Sequence, residues 1–164
     1  MSNLLILGAG QFGFMVKEIA ESTGEYEKID YLDDFNPVAI GKLEELSGYA
    51  NQYEYAIIAL GNPDTRQIYF EKAKRHFKMA TLISPFAHVS KSSRIGLGAI
   101  IEPMAVIQSG SFVGEGCIVS SGAIVRHNAK VGSFCHLDCN SVIMSNMSLP
   151  DKTKLACLTV YKNN

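Results

Sequence analysis

Four histidines, His76, His88, His127 and His136, are the side chains best suited to moving a proton near neutral pH. A neutral imidazole can accept the proton that an attacking amine or hydroxyl must lose. They do not read as a metal set, because no close His-x-x-x-x-His pair occurs. Cys117, Cys135, Cys139 and Cys157 contain no Cys-x-x-Cys pair either, so no metal is expected and the thiols read as small, reduced packing residues.

A second group has the spacing of a phosphate cradle. Gly8-x-Gly10-x-x-Gly13 follows the apolar run Leu4-Leu5-Ile6-Leu7 and opens a helical pattern, and Asp33 lies twenty residues beyond the last glycine. Glycine lets a backbone come close, and the amides at a helix N-terminus can meet a phosphate. About 84 residues have room for one mononucleotide-binding half, which disfavours a whole dinucleotide.

The elements that must position these groups fall into two halves. Up to residue 84, short apolar runs alternate with helical patterns: strands at Leu4–Leu7, Ile29–Leu32 and Tyr55–Leu60, helices at Phe12–Ser22, Leu43–Leu46 and Pro63–Phe77. That order predicts a small Rossmann-like parallel sheet. A last strand is expected near Ala80–Ile83, with Ser84-Pro85 as a hinge between domains at 1–84 and 85–164.

From Val89 onward an aliphatic residue recurs every sixth position, through Ile95, Ile101, Ile107, Val113, Val119, Val125, Val131, Leu137, Ile143, Leu149 and Leu155, with Tyr161 in phase. Four residues after each aliphatic the side chain is small in nearly every repeat; Met147 is the large one. Period six is the mark of a hexapeptide β-helix, in which each hexad makes one flat side of a triangular coil. Three hexads close a turn of 18 residues, so Val89, Ile107, Val125, Ile143 and Tyr161 should stack in one column over four turns. The small residues are expected to let the chain bend at the corners. Cys117 with Cys135, and Cys139 with Cys157, should lie in adjacent coils. His127, two places after Val125, should point outward.

The composition, 47% hydrophobic and 19% charged with a net charge of −1, gives neither the basic excess of a nucleic-acid binder nor a disordered profile. No run approaches the roughly 20 apolar residues of a membrane span, and no basic leader precedes Leu4, so a cytoplasmic protein that binds no membrane is expected.

The segments Ser84-Pro85-Phe86-Ala87-His88-Val89, Ile95-Gly96-Leu97-Gly98 and Ser121-Gly122-Ala123-Ile124-Val125-Arg126-His127 resemble the sialic acid O-acetyltransferase and nucleotide-sugar N-acetyltransferase family. So do Gly8-Ala9-Gly10-Gln11-Phe12-Gly13, Tyr31-Leu32-Asp33-Asp34, and Ile57-Ile58-Ala59-Leu60-Gly61-Asn62 with Arg66, so the match spans nearly the whole chain. The resemblance implies a left-handed β-helix, a homotrimer, and transfer of an acetyl group from acetyl-CoA to a sugar of surface-polysaccharide biosynthesis.

The same resemblance implies His127 as general base at a subunit boundary. Family members often flank that histidine with acids; here the neighbours are Arg126 and Asn128. Asn128 is the expected orienting group, through its amide oxygen, with Asp138 from another coil as the alternative acid. His136 matches a position near the thioester carbonyl. The N-terminal pocket is implied to hold the nucleotide-sugar acceptor through Gly8, Gly10, Gln11, Phe12, Asp33, Asp34, Gly61 and Asn62. Acetyl-CoA is expected along the last coils at His136, Ala156 and Lys162, with Lys130, Lys152 and Lys154 offering further charge.

The C-terminal coil departs from the family pattern. It reads Leu155-Ala156-Cys157-Leu158-Thr159-Val160-Tyr161 where relatives carry two glycines, so side chains there should narrow or shift the CoA site. Three readings follow: an N-acetyltransferase on an amino-deoxy sugar, an O-acetyltransferase on a hydroxyl, and a non-catalytic binding or scaffold relative.

Overall fold

The structure, a computed structural model, describes residues 2–162. They form two compact units, Met1–Leu82 and Ile83–Asn164.

In the first unit, strands β1 (Ser2–Leu7), β2 (Tyr26–Leu32), β3 (Tyr55–Ile58) and β4 (Lys78–Met79) form one parallel sheet in the order β2-β1-β3-β4. The apolar run Leu4–Leu7 is fully buried at its centre, as expected of a parallel strand covered on both faces. Helix α1 (Gln11–Thr23) links β1 to β2 and buries Gly13, Val16, Ile19 and Ala20; Gly24, in the left-handed region at φ 68°, ends it. Helix α2 (Pro63–Ala73) links β3 to β4, with Asn62 as its N-cap and Pro63 in its first turn.

Two expectations change here. The helix at Leu43–Leu46 is a 3-10 segment, Leu43–Tyr49, whose turns close through i to i+3 bonds such as Glu45 N–H to Lys42 O at 3.0 Å. In place of one strand near Ala80–Ile83 there are two short ones on either side of Ala80 and Thr81. Lys78–Met79 completes the first sheet beside Tyr55–Ala56, while Leu82–Ile83 is the first side of the β-helix.

The second unit is a stack of two-residue parallel strands in three sheets. Val89 pairs with Ile107, Ile107 with Val125, Val125 with Ile143, and Ile143 with Tyr161, which is the column that the 18-residue coil requires. Ile101, Ile107, Val113, Val119, Val125, Val131, Leu137 and Ile143 have no exposed surface, so the interior is a continuous aliphatic rod.

The bend sits one residue earlier than the pattern of small side chains suggests. Gly98, Met104, Gly110, Gly116, Gly122, Asn128, Phe134, Asn140, Asn146, Lys152 and Leu158 all have positive φ, and each lies three places after an aliphatic residue. The small residue that follows, such as Ala99, Ala105, Cys117 or Ala123, is buried and fills the inside of the corner. Cys117 and Cys135 are both in that buried class; all four cysteines are free thiols.

Candidate active site

In the first unit the loops after β1, β2 and β3 converge. β1 is flanked by β2 on one side and β3 on the other, so the chain leaves it in opposite directions; in open parallel sheets the crevice outside such a switch point is where ligands bind. The loops are tied together by backbone bonds. Gly8 N–H donates to Leu32 O, and Ala59 N–H donates to Leu7 O, both at 2.8 Å. Gly8 has φ 113°, and a Cβ there would lie 2.7 Å from the Ala59 carbonyl oxygen, so the turn needs glycine.

Asp33 organises the crevice from within the protein. One carboxylate oxygen accepts the Ala9 amide at 2.8 Å, and the other accepts the amides of Phe35 and Asn36 at 2.9 Å. Burial pushes its carboxyl up, but those three backbone amides outweigh burial and hold it below the ordinary carboxylate value. Asn36 returns the contact, donating from Nδ2 to Ala9 O at 2.6 Å. Asp34 is exposed, and its Oδ1 accepts the Leu43 amide at 3.1 Å.

Gly10, Gln11, Gly61 and Asn62 are exposed around this crevice, and Phe12 is half-buried. Asn62 Oδ1 accepts the Thr65 amide at 2.9 Å, so its side chain caps α2. Arg66 lies beneath the rim at 1% exposure, its Nη1 donating to the carbonyls of Leu60 and Gly61, each at 2.9 Å. That is a structural place, shaping the loop from below. Sequence reading passed over Phe35. Its ring is 94% exposed although its backbone is fixed on Asp33; the signal available was an aromatic directly after the two aspartates.

In the β-helix, His127 follows the strand Ile124–Val125 and is exposed. Its backbone amide donates to Gln108 Oε1 at 3.0 Å in the coil below, and its carbonyl accepts the Asn146 amide at 3.2 Å in the coil above. Its ring Nδ1 lies 3.2 Å from Ser145 Oγ. Ser145, one coil on, is the partner that sequence reading missed; the 18-residue spacing was the signal.

Neither orienting group expected from the sequence holds that nitrogen. Asn128 occupies the left-handed corner at φ 58°, with its Oδ1 only 2.4 Å from where a Cβ on Gly110 would stand, so its amide packs down the corner column. Asp138 Oδ1 accepts the Cys139 amide at 2.9 Å, and its Oδ2 lies 3.8 Å from Lys154 Nζ. The Cys139 amide, then the Cys157 thiol, His136 and Lys154, hold its carboxyl below the usual value against some burial. The strand it follows, His136–Leu137, belongs to a different sheet from Ile124–Val125.

His136 is half-buried and its Nε2 lies 3.1 Å from Ser120 Oγ. Glu102 sits in the same column as Ser120; it is 4% exposed and accepts the Ser121 amide at 2.8 Å and hydroxyl at 3.0 Å. Ala156 is exposed and follows Leu155, the neighbour of Leu137, so it shares the His136 face. Lys162 does not. It follows Tyr161, in the column of Ile143 and Val125, so it belongs to the His127 edge. Within one chain the expected CoA residues thus lie on two edges. Among the described residues no group of three or more His, Cys, Asp or Glu could hold a metal ion, and no helix is long and apolar enough to cross a membrane.

Residues 3–73 match the family model described as the PglD N-terminal domain. Across 97% of this chain and 93% of that chain, the fold superposes on the acetyltransferase domain of PglB from Neisseria gonorrhoeae, with TM-score 0.77 and 27% identity. The same domain in complex with acetyl coenzyme A covers the same shares at TM-score 0.76 and 28% identity. A variant perosamine N-acetyltransferase from Caulobacter crescentus, solved with CoA and GDP-perosamine, shares the fold at TM-score 0.74 and 20% identity, with 98% of this chain and 91% of that chain covered. No curated protein matches in sequence.

A parallel sheet with a switch-point crevice, followed by a left-handed β-helix, is the architecture this chain shares with the acetyltransferase domain of PglB. More particularly, the first unit matches the PglD N-terminal domain model over residues 3–73, and the likeness to the PglB acetyltransferase domain extends over 97% of the chain.

Proposed function

We propose that this protein transfers an acetyl group from acetyl-CoA to the amino group of a nucleotide-linked amino-deoxy sugar, with His127 as general base. The observation that carries the reading is His127 itself: an exposed imidazole on a β-helix edge, held through Nδ1 by Ser145. The acetyl-CoA complex of the PglB domain, 28% identical over nearly the whole chain, supports the donor.

The first unit would hold the nucleotide sugar over the amides of Gly10, Gln11 and Phe12 at the start of α1, where the helix dipole favours a phosphate. Asp34, Gly61 and Asn62 would line the rim, while Asp33 keeps the loop in shape. The pantetheine arm would run along the last coils past Ala156, with His136 facing the thioester carbonyl and Lys162 meeting a phosphate from the other edge. Because those residues occupy two edges, the complete donor site needs two copies of the β-helix side by side, which fits the expected homotrimer.

The acceptor nitrogen attacks the thioester carbonyl carbon, forming the new C–N bond. His127 Nε2 takes the amine proton as the tetrahedral intermediate develops, and the C–S bond then breaks to release CoA, with the proton returning to sulfur. No covalent enzyme intermediate is needed. A cytoplasmic site, where both substrates are made, suits this reaction.

The test is His127→Ala assayed with acetyl-CoA and a panel of nucleotide amino sugars. Turnover should fall at least about 100-fold, the usual worth of a general base, with the oligomer unchanged by light scattering. Full activity in the variant would remove His127 from the mechanism. A matching panel of hydroxyl acceptors separates N- from O-acetylation, and calorimetry with acetyl-CoA separates either from a non-catalytic scaffold.

A further inference from the structure

We propose that Ser145 is the positioning residue for His127, taking the place of the flanking acid that this sequence lacks. The inference rests on the proposed role of His127 as base. Ser145 Oγ stands 3.2 Å from Nδ1 of that ring, and no other residue among those described is placed on either ring nitrogen. The pairing is enforced by the coil rather than by a loop. Val125 and Ile143 are register partners buried in the core, and the residues two places beyond each are His127 and Ser145. The backbone of His127 is pinned from both sides, by Gln108 below and the Asn146 amide above.

The immediate neighbours cannot serve. Arg126 is cationic and its guanidinium reaches Met144 Sδ at 3.9 Å, and Asn128 is committed to the corner against Gly110. A serine hydroxyl both donates and accepts. With the Nδ1 proton given to Oγ, the lone pair lies on Nε2, which is the tautomer a base needs. A hydroxyl carries no charge, so it fixes the ring angle and, accepting from Nδ1–H, holds that tautomer without stabilising the imidazolium as a carboxylate would.

The experiment follows the ring directly. Nitrogen NMR of His127 in the intact protein reads which nitrogen carries the proton, with His127→Ala used for assignment, and steady-state kinetics are measured on the same samples. In the wild type the Nδ1–H form should predominate. Ser145→Ala should shift the ring towards Nε2–H and lower kcat about 10-fold with the KM of both substrates unchanged, and Ser145→Thr, which keeps the hydroxyl, should restore both. An Nε2–H wild-type ring, or a Ser145→Ala variant with unchanged tautomer and kcat, overturns the proposal. If no acceptor is acetylated by the wild type yet the tautomer follows Ser145, the proposed reaction fails and the positioning assignment stands.

Discussion

The three glycines of Gly8-x-Gly10-x-x-Gly13 should respond very differently to one methyl group. At Gly13 a Cβ would lie 2.1 Å from the Gly8 carbonyl oxygen and 2.9 Å from its carbon. An ordinary C···O contact is about 3.3–3.6 Å, so more than 1 Å must be gained by moving backbone. Gly8 cannot yield, because its amide is bonded to Leu32 and its own flank faces Ala59. The strain therefore falls on α1, which must lift Val16 and Ile19 from the sheet. Overpacking of this kind costs about 1–3 kcal/mol; taking the upper end for two rigid walls and subtracting the ~1 kcal/mol that alanine gains over glycine in a helix leaves about 2 kcal/mol of destabilisation for Gly13→Ala. At Gly10 nothing lies within 4 Å of the corresponding position and φ is −77°, so Gly10→Ala should cost under about 1 kcal/mol as an N-cap change. Its methyl would instead stand where the proposed phosphate would approach. Urea unfolding and calorimetric titration of a nucleotide sugar on both variants separate the effects: Gly13→Ala loses stability, whereas Gly10→Ala keeps stability and loses affinity. Equal destabilisation by the two changes would refute the argument.

Asp33→Asn removes the charge that three amides hold, at a typical cost of about 1.5–3 kcal/mol for charge-assisted bonds. Because the folded-state carboxyl is held below its ordinary value, its contribution is complete above the unfolded value near 3.9 and is lost as pH falls through the lower folded value. The stability gap between wild type and variant should therefore be widest near neutrality and close in acid; a gap that is constant with pH would exclude the linkage. Leu158 adopts φ 62° at a corner where Asn128, Asn140 and Asn146 already stand, and it is 77% exposed. Leu158→Asn should relieve left-handed strain and stabilise by about 0.5–1 kcal/mol, read as a rise in the thermal midpoint; a fall would show that the leucine side chain is engaged.

What was legible in the sequence is what the interior dictates. An aliphatic side chain must enter the core once per side, so Val89 to Tyr161 reveals the coil, and the coil in turn fixes which residues stack. The first unit was readable for a similar reason: Gly8 and Gly13 face backbone at contact distance, and only glycine tolerates that. The corners were misread because the bend imposes a backbone angle and no common burial: Leu158 is 77% exposed whereas Phe134 is 4% exposed. Seven of the eleven corner residues are glycine or asparagine, the types that enter the left-handed region at least cost, but methionine, phenylalanine, lysine and leucine interrupt them, and the buried small residues next to them drew the attention.

The site follows the same division. Asp33 was found through its spacing from the glycines, and its carboxylate accepts the amides of Ala9, Phe35 and Asn36, which spacing alone did not foretell. Asp34, Phe35 and Asn62 stand on the exposed rim around it, open to a ligand. Ser145 was hidden because neighbours along the chain were searched for a partner that the coil supplies from 18 residues away. In this β-helix an outward side chain stands beside the one a full turn on, as His127 stands beside Ser145, so a partner that the neighbours along the chain do not supply can come from the stacking of coils.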